Sequence, residues 1–197
     1  MEGLLAAYDV PVDFTDKANI VPLTEYAKTL KTDNEEKIME MIRASENDFD
    51  RLTEFYRDVI LHTENMDIYA KWIYGQHPTD EMIMGYIDEG AMYLCENDGA
   101  IISAVAVTPY QGEDYHDTEW SVVAADDEVS VVHILCVDPK LQKQGIARKT
   151  MELVIQMSRK MGKKAVRLDA LSCNTPAHRL YSSSGFEKKG SAAMVCR

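Results

Sequence analysis

Apolar residues alternate with polar ones, or form short unbroken runs, in five segments of the chain. A period of two residues is typical of β-strands. Residues 129–137 read VSVVHILCV and are mainly apolar on both faces, which predicts a central strand that is covered on both sides. Asn97-Asp98-Gly99 separates two other segments and predicts a tight antiparallel hairpin. The predicted strands span residues 37–44, 91–96, 100–108, 129–137 and 165–171.

Spacing of three and four residues between apolar positions predicts helices in the intervening segments. Apolar residues recur in this way over 52–60 and 82–87, after residues suited to starting a helix. A longer amphipathic stripe ends at Met161, with Gly162 in the position of a C-terminal cap. A final short helix is predicted over Asn174–Ser184. The strand–helix–strand order over 129–171 implies that its two strands are parallel.

The length of 197 residues fits one domain with an appended segment. Residues 1–36 show no sustained period, although a short helix could begin at Pro22. We therefore expect an N-terminal arm or accessory helix over 1–36 and a single domain over 37–197. The arm could dock on this domain or on a partner subunit, which leaves a homodimer open.

Composition excludes several classes of protein. With 46% apolar and 27% charged residues, the chain is neither disordered nor collagen-like. No apolar run reaches the roughly 18 to 20 residues of a membrane span, and the acidic N-terminus lacks the basic region of a signal peptide. We expect a cytoplasmic protein without a membrane partner. The four cysteines form no CxxC pair, so neither a metal site nor a disulfide framework is predicted.

Charge is divided unevenly along the chain, whose net charge is −12. Residues 129–197 carry 13 of the 21 basic residues but only 4 of the 33 acidic ones. The C-terminal third should therefore attract an anion, while the remainder should repel nucleic acid and favour a cationic partner. A plainer alternative is that the surface charge only keeps the protein in solution.

A loop with the sequence QKQGIA follows the predicted central strand at residues 142–147. Small residues that lead into a helix expose backbone N–H groups, and these groups together with the helix dipole suit a pyrophosphate. Close packing of loop on helix would favour the same residues. The loop lacks the Gly-Lys-Ser/Thr ending of a P-loop and the three glycines of the dinucleotide fingerprint. Basic side chains add positive charge at Lys140, Lys143, Arg148 and Lys149.

Two sequence motifs follow the two predicted parallel strands. The first is Gln142-x-x-Gly145-x-Ala147, and the second runs from Asn174 to Gly185-Phe186 through Ala177, Leu180 and Tyr181. In this order they resemble the Q/R-x-x-G-x-G/A signature and the C-terminal block of the GNAT superfamily of acetyl-CoA-dependent N-acetyltransferases. The resemblance extends from about residue 37 to the end and is strongest over 129–187.

The resemblance implies an α/β (α+β) fold with a mixed central sheet and helices on both faces. The first four predicted strands would be antiparallel, and the parallel strands 129–137 and 165–171 would splay apart at a cofactor cleft. Acetyl-CoA is the implied cofactor, and the amine acceptor would attack its thioester directly, so Cys136 need not be a nucleophile. The implied cofactor-binding residues are Leu135, Cys136, Val137, Gln142, Lys143, Gln144, Gly145, Ile146, Ala147, Arg148, Asn174 and Tyr181.

Two residues are candidates for acid and base catalysis within this resemblance. Tyr181 would protonate the leaving thiolate, or else only pack under the cofactor with its hydroxyl satisfied. His133 interrupts an apolar strand at a position where the family often carries Glu or another polar residue. It could accept the proton of the amine, directly or through a water, or it could be a satisfied core residue.

The acceptor side has two candidate segments. Residues 109–128 combine carboxylates with Tyr115, His116 and Trp120, which could hold a cationic amine or form a solvated acidic loop. Residues 66–78 carry further aromatic side chains, which could form a second wall or belong to the core. The leading interpretation is an N-acetyltransferase that acts on a small cationic amine. The alternatives are a peptide N-terminal or lysine acetyltransferase and a non-catalytic CoA-binding module.

Overall fold

The computed structural model describes residues 5–12 and 39–192, which form a seven-stranded sheet with helices on both faces. The strands are β1 Leu5–Pro11, β2 Met41–Arg43, β3 Met92–Asn97, β4 Ala100–Thr108, β5 Val129–Val137, β6 Ala165–Leu171 and β7 Glu187–Ala192. The helices are α1 Phe49–His62, α2 Met66–Tyr69, α3 Asp80–Asp88, α4 Ile146–Lys160 and α5 Thr175–Ser183. No helix of the described ranges is long and apolar enough to cross a membrane.

The order of the strands is β2-β3-β4-β5-β6-β1-β7. Strands β2 to β5 are antiparallel to one another, whereas β5 and β6 are parallel, which confirms the mixed sheet expected from the sequence. The hairpin between β3 and β4 is also confirmed, because Asp98 and Gly99 both adopt positive φ angles, of 53° and 78°. The predicted first strand is shorter than expected, with Met41–Arg43 paired to β3.

The N-terminal segment differs from its prediction where the structure describes it. Residues 1–36 were expected to form an arm or accessory helix, but Leu5–Pro11 is an interior strand between β6 and β7. Two features prevent the prediction of this strand from the sequence. Its partners on β6 lie some 160 residues away, and the buried Asp9 interrupts its apolar pattern. The helix expected from Pro22 and the boundary expected after residue 36 lie outside the described residues. Strand β7 was not predicted either.

Two hydrophobic clusters cover the two faces of the sheet. Helices α4 and α5 pack over one face, where Met151, Val154 and Tyr181 meet apolar residues of β1, β4 and β6. Helices α1 and α3 pack over the other, where Leu52 and Ile83 meet residues of β3 and β4. The predicted helical stripes therefore belong mainly to the core.

Strands β5 and β6 are paired over only four residues each. The register runs from Val129↔Ala165 to Val132↔Leu168 and ends there, although β5 continues to Val137 and β6 to Leu171. A bulge in β5 lies at the point of separation, where the register with β4 shifts and Ile134 adopts a φ of 43°. A bulge bends its strand and locally disrupts pairing. The two parallel strands thus open into a gap.

A buried arginine fixes the connection between β4 and β5 to the sheet. Arg167 on β6 lies opposite Asp9 in the register of β6 with β1, and both side chains are almost fully buried. The Arg167 guanidinium donates hydrogen bonds to Gln111 Oε1 and to the Val122 carbonyl, the latter at 2.7 Å, and lies 4.4 Å from the Trp120 ring centroid. These contacts fold the connection over one face of β5 and β6.

We predict that Arg167→Ala lowers the free energy of unfolding by about 2 to 5 kcal/mol, because it empties a buried side-chain site and leaves Gln111 Oε1 and the Val122 carbonyl without their donor. Urea denaturation followed by circular dichroism measures this change. Lys160→Ala, at an exposed position in the last turn of α4, is the matched control and should change the value by less than about 0.5 kcal/mol. Equal effects of the two substitutions would contradict a stabilising role for the buried Arg167 side chain.

Candidate functional site

The loop before α4 has the backbone geometry of an anion site. Lys143 and Gly145 adopt left-handed conformations, with φ angles of 62° and 85°, and Gly145 is the N-cap of the 15-residue helix. Alternation of left- and right-handed residues turns successive N–H groups toward one side. Residues 143–145 and Arg148 are exposed, and the first turn of α4 contains no acidic residue. The loop therefore offers its amides and positive charge to the solvent.

The two glutamines of the loop hold it in place. Gln142 Nε2 donates to Thr63 Oγ1 at 3.0 Å and to the Val137 carbonyl at 3.4 Å, which ties the loop to the end of α1 and to β5. Gln144 Nε2 donates to the Lys140 carbonyl at 3.4 Å. The amide side chains of these predicted cofactor-binding residues are thus engaged with the protein, so the backbone N–H groups of the loop are the donors left to meet an anion.

The unpaired end of β5 lines the gap next to this loop. Asp138 N donates to Ile102 O at 3.0 Å, so the alternation of an antiparallel ladder directs the Cys136 N–H toward β4 and the Val137 N–H toward the gap. Leu135 packs with the cluster under α4 and α5, while Cys136 packs on the opposite face. Burial raises the pKa of the Cys136 thiol well above its ordinary value, which keeps it protonated.

The predicted C-terminal motif forms the other side of the gap. Asn174 is the N-cap of α5, and its Oδ1 accepts a hydrogen bond from Ala177 N at 3.1 Å. Tyr181 lies one helical turn beyond Ala177, in the cluster that also contains Leu135. Its ring centroid is 5.6 Å from that of Tyr8 on β1, whose hydroxyl is 2.5 Å from His178 Nδ1. Burial raises the pKa of Tyr181 far above the neutral range, so the phenol remains protonated.

His133 lies on the opposite face of the sheet from Tyr181, directly after the last residue that β5 pairs with β6. Its imidazole stacks on Tyr86 of α3, with ring centroids 5.6 Å apart, and Nε2 is 3.3 Å from Thr108 Oγ1. Burial lowers the pKa of His133 below its ordinary value of 6.5, and the negative charge of Asp169 partly offsets this effect. The imidazole is therefore neutral at pH 7 and able to accept a proton.

Asp169 is a site residue that the sequence pattern did not single out. It is the first residue of β6 beyond the paired segment, and its half-buried carboxylate accepts a hydrogen bond from the Tyr115 hydroxyl at 2.6 Å. Its negative charge raises the pKa values of Tyr181 and Tyr86 as a secondary contribution after burial. Asp169 therefore lies within electrostatic range of both faces of the gap. Its place in the alternating segment 165–171 resembled that of an ordinary surface residue.

The connection 109–128 contributes aromatic rings to the gap, whereas its carboxylates face the solvent. Tyr115 is buried and stacks on Trp120, with ring centroids 5.8 Å apart. The acidic side chains Glu113, Asp114, Asp117, Glu119, Asp126 and Asp127 are exposed. The solvated-loop interpretation is therefore correct for these carboxylates, and the buried aromatic rings form a wall beside Asp169.

Segment 66–78 is divided between core and surface. Trp72 is buried beside Tyr56, with ring centroids 6.0 Å apart, and belongs to the core under α1 and α3. Tyr74 is exposed and stacks under Arg57. His77 is half-buried, and the charge of Asp169 acts on its pKa, which burial lowers. His77 is thus the residue of this segment that connects it electrostatically with the gap.

Comparison with known proteins agrees with this geometry. A family model described as "Acetyltransferase (GNAT) family" matches residues 49–186. An uncharacterised N-acetyltransferase of Archaeoglobus fulgidus is 26% identical over 158 residues, which are 76% of this chain and 94% of that protein. An uncharacterised N-acetyltransferase of Methanocaldococcus jannaschii is 28% identical over 102 residues, or 52% of this chain. The matched residues are 41% of that relative, so the chain spans less than half of its length.

Solved structures show the same fold. The crystal structure of a GNAT-family acetyltransferase from Streptococcus agalactiae superimposes with a TM-score of 0.61 at 17% sequence identity. The superposition covers 77% of this chain and 87% of that one. Because the identity is low, this likeness concerns the architecture, including the mixed sheet.

Proposed function

Because the chain belongs to the acetyltransferase (GNAT) family, we propose that it transfers an acetyl group from acetyl-CoA to the amine of a small cationic acceptor. Family membership itself implies acyltransferase activity. The observation that carries the finer proposal is the gap between β5 and β6, which opens beside a loop whose backbone geometry suits an anion and lies next to the neutral imidazole of His133.

The residues along this gap fit acetyl-CoA. The left-handed loop at Lys143 and Gly145 presents backbone N–H groups that suit a pyrophosphate, with Arg148 adding charge. The unpaired end of β5 offers the Val137 N–H to an extended pantetheine chain, opposite Asn174 at the start of α5. Acetyl-CoA supplies the activated acetyl group and a thiol leaving group.

His133 is proposed as the base. In the overall exchange, a bond forms between the amine nitrogen and the acetyl carbon while the carbon–sulfur bond breaks. The nitrogen must lose a proton, and the lowered pKa of His133 keeps its imidazole free to take it at pH 7. The resulting imidazolium lies within the field of Asp169, which stabilises its positive charge.

Tyr181 is proposed as the proton donor on the other face. Its hydroxyl stays protonated, and Leu135 of the unpaired β5 segment packs in the same cluster. Donation to sulfur would stabilise the negative charge that develops as the carbon–sulfur bond breaks. A full phenolate would be unfavourable in this buried position near Asp169, so the proton that Tyr181 gives must be replaced from solvent in the same turnover.

Binding and turnover test the proposal directly. Calorimetric titration with acetyl-CoA should show binding, and thiol release should follow when a panel of polyamines, amino acids, aminoglycosides and short peptides is added. Gly145→Val should abolish the binding, since a β-branched residue strains the left-handed loop. Gly99→Val is a matched control, because Gly99 also has a positive φ and open space but lies in the distant hairpin. Equal affinity of the two variants would refute the loop assignment.

Tyr181→Phe should lower kcat about 100-fold and change acetyl-CoA affinity by no more than a few fold, because it removes the hydroxyl but keeps the ring. Steady-state thiol release and calorimetry measure the two quantities. Tyr93→Phe removes a phenol from the same core cluster and should leave kcat unchanged. If Tyr181→Phe loses acetyl-CoA affinity in parallel with kcat, the role of Tyr181 is structural.

His133→Ala should remove the acidic limb of the pH profile of kcat/KM. In the unaltered protein, activity should fall as the pH drops through the pKa of His133, and the midpoint should lie below 6.5 because burial disfavours the imidazolium. His62→Ala, at an exposed position at the end of α1, should keep the limb. Persistence of the limb in His133→Ala would assign it to another group.

A further inference from the structure

The carboxylate of Asp169 occupies the opening of the gap on the face opposite α4 and α5. Pairing of β6 with β5 ends at Leu168, so Asp169 is the first residue with no β5 neighbour. Arg167 and Asp169 share one face of β6, and both contact the connection 109–128. Asp169 is half-buried, so its carboxylate is partly shielded from water and open to a ligand in the gap.

Asp169 differs from the other acidic residues of the basic C-terminal third. Glu152 lies 3.7 Å from both Arg148 and Lys149, Glu187 lies 2.5 Å from Lys189, and the Asp138 carboxylate accepts a hydrogen bond from a backbone N–H. Asp169 forms no salt bridge with any residue in 5–12 or 39–192. In those ranges its Oδ1 accepts the Tyr115 hydroxyl, and no donor reaches Oδ2.

The groups around Asp169 come from five elements of the fold. Its charge acts on His133 of β5, Tyr86 of α3, Tyr115 of the connection, Tyr181 of α5 and His77. The two histidines are neutral at pH 7, because burial lowers the pKa of each, and the tyrosines carry no positive charge. None of the five groups is therefore a cation at this pH. A partly buried carboxylate among aromatic rings, without a cation of its own, is a binding site for an ammonium group.

We propose that Asp169 binds the ammonium group of the acceptor, through its Oδ2 atom, at the aromatic side of the gap. The inference rests on the proposed function and names the residue that selects its substrate class, a primary amine that arrives protonated. The Tyr115 hydroxyl donates a hydrogen bond to Oδ1, the other oxygen of the carboxylate, and so fixes the orientation of the Asp169 side chain. From this position the ammonium can pass one proton through the neutral His133 to solvent, which leaves the free amine needed for attack. The neutral His133 then accepts the second proton, which the nitrogen loses as the amide forms.

Direct binding tests this assignment without requiring turnover. Methylammonium chloride is titrated into the full chain in the presence of CoA, with sodium chloride as the ionic-strength control, and the imidazole resonance of His133 is followed by NMR. The unaltered protein should show a saturable shift. Asp169→Asn keeps the shape of the side chain and an oxygen that can accept from the Tyr115 hydroxyl, but it removes the negative charge. It should therefore weaken methylammonium binding about 10-fold or more. Glu128→Gln removes a carboxylate at the far end of the connection and should leave binding unchanged.

Turnover provides the second readout. Asp169→Asn should raise KM for the amine about 10-fold or more, with a smaller change in kcat and unchanged acetyl-CoA affinity. Loss of kcat at constant KM would make Asp169 a base instead of a binding residue and overturn the inference. The inference would also be overturned if the unaltered protein did not bind methylammonium, or if Asp169→Asn bound it with the same affinity as the unaltered protein. If the unaltered protein binds methylammonium through Asp169 but releases no thiol with any amine, the proposed function fails and the binding site stands.

Discussion

The early end of pairing between β5 and β6 is the constraint on which the site depends. Parallel strands normally stay bonded along their length, and here only the four-residue stretch from Val129 to Val132 is paired with β6. The bulge at Ile134 bends β5, and the Tyr56 hydroxyl supports the new direction by donating to the Ile134 carbonyl at 2.8 Å. A β-branched residue at positive φ is unfavourable, so packing from α1 must compensate for it.

The gap becomes a site because different elements furnish its two faces. On one face, α4 is joined to β4 by the Ser103–Thr150 hydrogen bond of 2.8 Å, which holds the left-handed loop near the open end of β5. On the other face, Arg167 anchors the connection 109–128, and Tyr115 of that connection reaches Asp169. The buried Arg167 thus has a function beyond stability, since it positions the aromatic wall.

Features with local causes could be predicted from the sequence, whereas features with distant causes could not. The turn at Asn97-Asp98-Gly99 and the end of α4 at Gly162 depend on residues with particular backbone preferences, and both are confirmed. Strand β1 was missed because its partners lie at the other end of the chain and because Asp9 breaks its apolar pattern. The bulge was missed because nothing in VSVVHILCV favours a positive φ at an isoleucine. Asp169 was missed because a polar residue in an alternating strand resembles a surface residue until its surroundings are known.

The structure places the basic and the acidic segments of the chain on different sides of the gap. The predicted anion site lies on the basic side, where the first turn of α4 carries Arg148 and Lys149 and no acidic residue. The acidic connection 109–128 covers the opposite side, with its carboxylates in solvent around the aromatic wall. A field of this kind would draw an anionic ligand and a cationic ligand toward opposite ends of the gap. Because water screens the exposed carboxylates, their effect is on the approach of the cation. Selection of a cation at short range would require a shielded carboxylate, which is the role proposed above for the half-buried Asp169.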